Sequence, residues 1–140
     1  MDNAPYDKVT ENVVLGSVIR NEGEYDVVAK YFTNIDVFYQ NKAQMLWVKV
    51  RGMKKKNQVV DTLTVCTSLT KDNIDSGLDR YYITGCTADA CIKGSTEIYA
   101  TKLYEKFLMR KIIVKAEEIK QQARDNHTDI YKTISETHSI

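Results

Sequence analysis

Neither proline nor glycine occurs between Ser95 and Ile140. No other feature constrains the fold as much, because these two residues are the usual interrupters of helices. Within the stretch, Tyr104, Leu108, Ile112, Ala116, Ile119 and Ala123 follow at steps of four, four, four, three and four. That is the period of one helical face. Ser95 or Thr96 can cap the start. Ile98, Leu103, Phe107, Met109 and Ile113 make the N-terminal half apolar over a broad arc. The C-terminal half keeps only the narrow stripe, flanked by Lys115, Glu117, Glu118, Lys120, Gln121, Gln122 and Arg124. At about 1.5 Å per residue, a helix over 95–124 runs about 45 Å, beyond the roughly 30 Å of a small domain. Its first half is expected to pack on a compact body. The second half should project and need a partner helix.

The next segment supplies one. Asp125, Asn126 and His127 form a short polar break, and Thr128 can cap a second helix with Ile130, Tyr131, Ile134 and His138 near one face. Helices joined by so short a turn lie antiparallel. A projecting hairpin with an apolar seam is usually a self-association device. The alternative, a hairpin folded back into one bundle, is equally compatible with the periodicity.

The chain of 140 residues suggests one domain plus an extension. Twenty basic and nineteen acidic residues leave a net charge of +1, so no strong field draws nucleic acid or membrane to the whole surface. No apolar run reaches the roughly 18 residues of a membrane span, and no signal-peptide pattern is present. Cys66, Cys86 and Cys91 are an odd set without metal-type spacing. They read as mostly buried thiols of a reduced, cytoplasmic chain. One proline and six glycines favour helices, against a milder contrary signal from nine tyrosines.

Taken in order, Pro5 ends a short arm and Asp7 caps a helix to about Ile19, carrying Thr10, Val13, Val14, Leu15, Val18 and Ile19. Gly16 inside it costs about 1 kcal/mol against alanine and suits a close helix approach. A turn over 20–23 precedes a short helix from Glu24 to Phe32 burying Val27, Val28 and Tyr31. In the loop from Thr33 to Tyr39, Ile35, Phe38 and Tyr39 plug the core. A third helix from Asn41 to Met53 presents Ala43, Leu46, Trp47, Val50 and Met53. Leu46, Val48 and Val50 also alternate as in a strand, but a strand would place Trp47 beside Lys49. Arg51, Lys54, Lys55 and Lys56 fall at this helix's C-terminus, where the dipole favours cations. The sharper reading is a phosphate contact. Asp61 caps a fourth helix with Leu63, Val65, Cys66 and Leu69 inward, and 71–77 is a polar loop. Leu78 to Cys86 is a fifth helix presenting Leu78, Tyr81, Tyr82 and Ile83, linked by 87–94 to the long helix.

Catalytic signatures are missing. Lys93-Gly94-Ser95-Thr96 has the letters of a phosphate loop in the wrong order. His127 and His138 have no carboxylate or cysteine partner that would make a metal site. No catalytic, cofactor-binding or metal-binding residue is assigned.

The ordered set of elements resembles the N-terminal domain of the DnaB-type replicative helicases of bacteria and phages. The matching positions are Pro5, Glu11, Val14-Leu15-Gly16, Asp26-Val27-Val28-Ala29, Asp36-Val37-Phe38-Tyr39 and Val60-Asp61-Thr62-Leu63-Thr64-Val65. Tyr99-Ala100, Glu105-Lys106 and Arg110 follow in the long helix, and Asp129-Ile130 to Ile140 in the second hairpin helix. Two departures mark a divergent, phage-like or mobile-element version. The family's Asn-Pro-x-His-Arg at the third helix reads Gln40-Asn41-Lys42-Ala43-Gln44, and its Val-Gly-Gly is reduced to Ser76-Gly77.

The resemblance implies an all-α fold: a head of five to six helices over 1–94 and a protruding antiparallel hairpin over 95–140. It further implies hairpins that pair between subunits into a trimer-of-dimers collar and dock primase or a helicase loader. ATP and Mg would belong to a RecA-like motor domain outside this chain, which would make most of the contacts to single-stranded DNA. On this reading the chain is a fragment, not itself an enzyme, with no membrane partner. Tyr104, Leu108, Ile112, Ala116, Ile119, Ile130 and Ile134 are the expected subunit interface. The competing reading is a free-standing nucleic-acid-binding protein using Arg51, Lys54, Lys55 and Lys56 with Lys102, Lys106, Arg110, Lys111 and Lys115.

Overall fold

A computed structural model describes residues 4–125 and 129–137, and every regular element among them is helical. Helix α1 (Lys8–Arg20) begins where the Asp7 carboxylate accepts from the Thr10 amide at 3.0 Å, as its position before an apolar run predicts. It buries Val14, Leu15, Val18 and Ile19. Helix α2 (Glu24–Val28) runs directly into a 3-10 turn (Ala29–Tyr31), so the expected single helix tightens at its end. A second 3-10 turn (Ile35–Val37) closes the loop that delivers Phe38 to the core.

Helix α3 (Asn41–Lys55) buries Ala43, Leu46, Trp47, Val50 and Met53, all on one arc, which removes the strand alternative. Trp47 is the centre of the core. Its ring meets Phe32 edge-on at 5.1 Å and stacks on Tyr25 at 5.2 Å, and its indole N–H donates to the Phe32 carbonyl at 3.0 Å. That bond removes the cost of burying the one polar atom of the ring.

Helices α4 (Thr62–Thr67) and α6 (Arg80–Ala88) are capped by Asp61 and Asp79. Three positions expected to be inward are exposed: Val27, Leu63 and Tyr81. Each helix is short and offers one inward arc. Leu63 lies about 200° from Val65, and Tyr81 about 100° from Tyr82 on the side away from Ile83. The expected polar loop at 71–77 contains helix α5 (Lys71–Asp75). Thr70 and Asn73 form a reciprocal capping box, and Gly77 at φ +94° ends the helix with Leu78 donating to the Asn73 carbonyl.

Helix α7 (Thr96–Arg124) lies against α1 and α2. Ser95 occupies its N-cap position but makes no side-chain capping bond, and Thr96 is buried instead of capping. The buried face is Thr96, Ala100, Leu103 and Phe107; beyond Phe107 no α7 side chain is buried. Ile98, Met109 and Ile113, part of the expected apolar arc, are exposed. Helix α8 (Ile130–Glu136) packs on the distal part of α7. Asp129 caps it, accepting from the Tyr131 and Lys132 amides. The expected cap Thr128, and His127 and His138, lie outside the described residues.

Candidate assembly surface and head–hairpin junction

The distal half of α7 and α8 form an antiparallel pair with a partly polar seam. Thr133 is buried, Ile119 and Gln122 are half-buried, and Gln122 Nε2 donates to Glu136 Oε2 at 3.4 Å. Only Ile119 of the expected interface residues turns toward this seam. Leu108 is 40% exposed, Ile112 48%, Ile130 51% and Ile134 52%; Tyr104 and Ala116 are also exposed. Met109 and Ile113 on the adjoining arc of α7, and Tyr131 on α8, are exposed as well. At its head end, Tyr104 lies 6.1 Å from the ring of Tyr31, so the stripe runs without a break onto the head. Exposed apolar patches of this kind are found where proteins meet partners, ligands or membranes.

A charged junction sits where α7 leaves the head. The register of the buried face, Thr96, Ala100, Leu103 and Phe107, continues through position 110, and there the chain carries arginine. Arg110 Nη1 donates to the Pro5 carbonyl at 2.8 Å, and Nη2 donates to the carbonyls of Asp36 at 2.6 Å and Val37 at 3.0 Å. Its guanidinium lies 5.5 Å from the centroid of Tyr39 and 5.9 Å from that of Phe107. Partial burial lowers its pKa, opposed by attraction to Glu11 and Asp36, and an arginine remains charged throughout.

Glu11 supports the same corner from α1. It is 1% exposed, and its carboxylate accepts from the Tyr39 amide at 2.7 Å, the Gln40 amide at 3.2 Å and Gln40 Nε2 at 3.1 Å. Burial raises its pKa above the usual 4.5, against the lowering effect of the Gln40 bonds and of Arg110. These donors come from the turn before α3, so Glu11 ties α1 to the start of α3. Alongside lies a groove of about 530 Å³, lined on the head by Phe38, Tyr39 and Gln44 and on α7 by Phe107, Lys111 and Val114.

Glu11 and Arg110 are both positions that carry the family resemblance, which implies no such role for either. A signal existed for both. Glu11 is a lone acid beside Thr10, Val14 and Val18, and Arg110 falls in the register of a buried stripe.

The basic cluster has a local explanation. Lys54 and Lys55 close α3, Lys54 Nζ stands 5.6 Å from the Tyr25 ring, and Arg51 is half-buried. Asn57 at φ +54° turns the chain, with the Gln58 amide donating to the Met53 carbonyl and the Asn57 amide to that of Lys54. The α7 cations of the nucleic-acid reading do not form one free row: Arg110 is bound to carbonyls, and Lys115 stands 3.9 Å from Glu118. Burial raises the pKa of the Cys66 thiol and pushes that of Cys86 to about 11, so neither is poised as a thiolate. Among the described residues no group of His, Cys, Asp or Glu is placed to hold a metal, and no helix is long and apolar enough to cross a membrane.

A helical head built on Trp47, with a helix pair carrying a continuous apolar stripe away from it, defines an all-helical domain with a helical hairpin. The chain belongs to the family of DnaB-like helicase N-terminal domains, whose profile matches residues 3–105. Its structure is similar to the N-terminal domain of DnaB helicase from Mycobacterium tuberculosis, with a TM-score of 0.85 at 17% identity, covering 98% of this chain and 99% of that one. It is also similar to a DnaB-like replicative helicase described with its interactions with primase, with a TM-score of 0.76 at 21% identity. That alignment covers 96% of this chain but 31% of the helicase, so the chain spans about a third of that protein. Comparison with curated protein sequences finds no match.

Proposed function

We propose that this chain is the assembly and docking domain of a replicative DNA helicase, with a head over 1–94 and a hairpin over 95–140. The observation that carries the proposal is the exposed stripe of Tyr104, Leu108, Ile112 and Ala116, with Ile130 and Ile134 exposed on α8 and the half-buried Ile119 supporting it from the seam. A second copy of the hairpin covers it, and pairs of chains build a trimer-of-dimers collar. Primase or a helicase loader docks on that collar, in keeping with the primase contacts of the larger similar helicase. Unwinding, ATP and Mg belong to a motor domain outside this chain, as does most contact with single-stranded DNA. For Arg51, Lys54, Lys55 and Lys56 we favour stabilisation of the α3 terminus over phosphate contact, because a helix C-terminus repels anions.

Burying one leucine or isoleucine side chain contributes about 1.5–3 kcal/mol. A buried, unpaired aspartate in its place reverses that gain. Sedimentation over a wide concentration range is expected to show a dimer building toward a hexamer. Leu108→Asp and Ile112→Asp should each shift the mass toward monomer with helical content unchanged. Wild-type mass in both variants would refute the stripe as the interface.

A further inference from the structure

We propose that Arg110 is a positioning residue that sets the direction in which the hairpin leaves the head, and that it does so through the N-terminal arm. Phe107 is the last buried side chain of α7. One turn later, Arg110 joins α7 to the carbonyl of Pro5 in the arm and to those of Asp36 and Val37 in a 3-10 turn. A guanidinium is a planar fork, so donors on both of its terminal nitrogens restrain orientation as well as distance. The rings beside it hold the plane: Tyr39 and Phe107 lie under 6 Å away, and Tyr6 of the arm stacks on Tyr39 at 4.3 Å with an 18° tilt.

A groove of about 530 Å³, with Arg110 on its wall, lies between α7 and Phe38, Tyr39 and Gln44 of the head and is lined on α7 as far as Glu118. The helix is a lever there. The span from Arg110 to Arg124 is about 21 Å, so a tilt of about 10° at the junction carries the distal end about 4 Å. That displacement approaches one helical turn and would misalign a stripe with whatever covers it. Displacing the arm removes the Pro5 acceptor and the Tyr6 stack together, so the state of the arm is coupled to the direction of the hairpin. None of this depends on which partner the hairpin binds.

The test measures the distance distribution between spin labels on non-natural keto side chains introduced at Thr67 in the head and Gln121 in α7, both exposed. The labelled full chain is diluted in excess unlabelled chain, so that only distances within one molecule are read. Wild type should give one narrow peak. Arg110→Ala should lose it, while thermal unfolding of the head remains a single cooperative transition. Arg110→Lys keeps the charge without the fork and should also lose the narrow peak. If Arg110→Ala fails to fold, Arg110→Lys decides. A narrow peak retained in a folded Arg110→Ala, or restored in Arg110→Lys, overturns the proposal.

Discussion

Gly16 in α1 faces the backbone of Cys86 in α6 so closely that a β-carbon on Gly16 would lie 1.7 Å from the Cys86 carbonyl oxygen and 2.4 Å from its carbon. The obstacle is backbone, so no side-chain rotation relieves it. Alanine would favour helix formation by about 1 kcal/mol, but forcing two packed helices apart costs about 1–3 kcal/mol and occasionally more. Gly16→Ala is therefore expected to destabilise the head by about 1 kcal/mol, the clash cost less the helix-propensity gain, and by more if the backbone cannot shift. Urea unfolding followed by circular dichroism checks this, and an unchanged midpoint would show that separating the helices costs no more than the alanine gains in helix propensity.

Glu11 presents both carboxylate oxygens to donors, Oε2 to the Tyr39 amide and Oε1 to the amide and side chain of Gln40. Glutamine has one acceptor oxygen, so Glu11→Gln sets an amide NH₂ against a buried donor. A loss of about 1–3 kcal/mol is expected for the unsatisfied group. Equilibrium denaturation with an unchanged slope and a lower midpoint would bear this out.

Asp7 gives a pH-dependent prediction. Its bonds to the Thr10 amide and hydroxyl lower its pKa below the unfolded value of 3.8. A carboxylate depressed in the folded state contributes stability that is fully present above 3.8 and is lost as pH falls through the lower folded value. At pH 7, Asp7→Ala is expected to cost about 1 kcal/mol, typical of a lost N-cap. The gap between variant and wild type should narrow below pH 3.8. A gap that stays constant down to the acid transition would mean the cap acts without its charge.

The helical class and most elements were legible in the chain. Asp7, Asp61 and the α3 stripe of Ala43, Leu46, Trp47, Val50 and Met53 all behave as their local signals predict. Gly16 stood out as an expensive residue inside a helix, and the α6 backbone accounts for it. Legibility failed where the signal was short. Helix α5 rests on a single capping box and a glycine, which read equally well as a polar loop. Leu63 and Tyr81 were assigned inward by residue type, although helices of six and nine residues leave little periodicity from which to choose a face.

At the candidate site the division is sharper. The sequence by itself determined that 96–124 is helical, because nothing in that stretch interrupts a helix and its apolar residues keep the helical period. It did not determine which arc faces the head. Between Ile98 and Ile113 apolar residues occupy most of the helix circumference, so Leu103 and Phe107 look no more buried than Leu108 and Ile112. The tertiary structure decided it: α1 and α2 cover one arc and leave the other open. The meeting of Arg110 with Pro5 and Asp36 spans 105 and 74 residues of chain. Local propensity carries no information across such separations; only the packing of the head brings those carbonyls to the same corner.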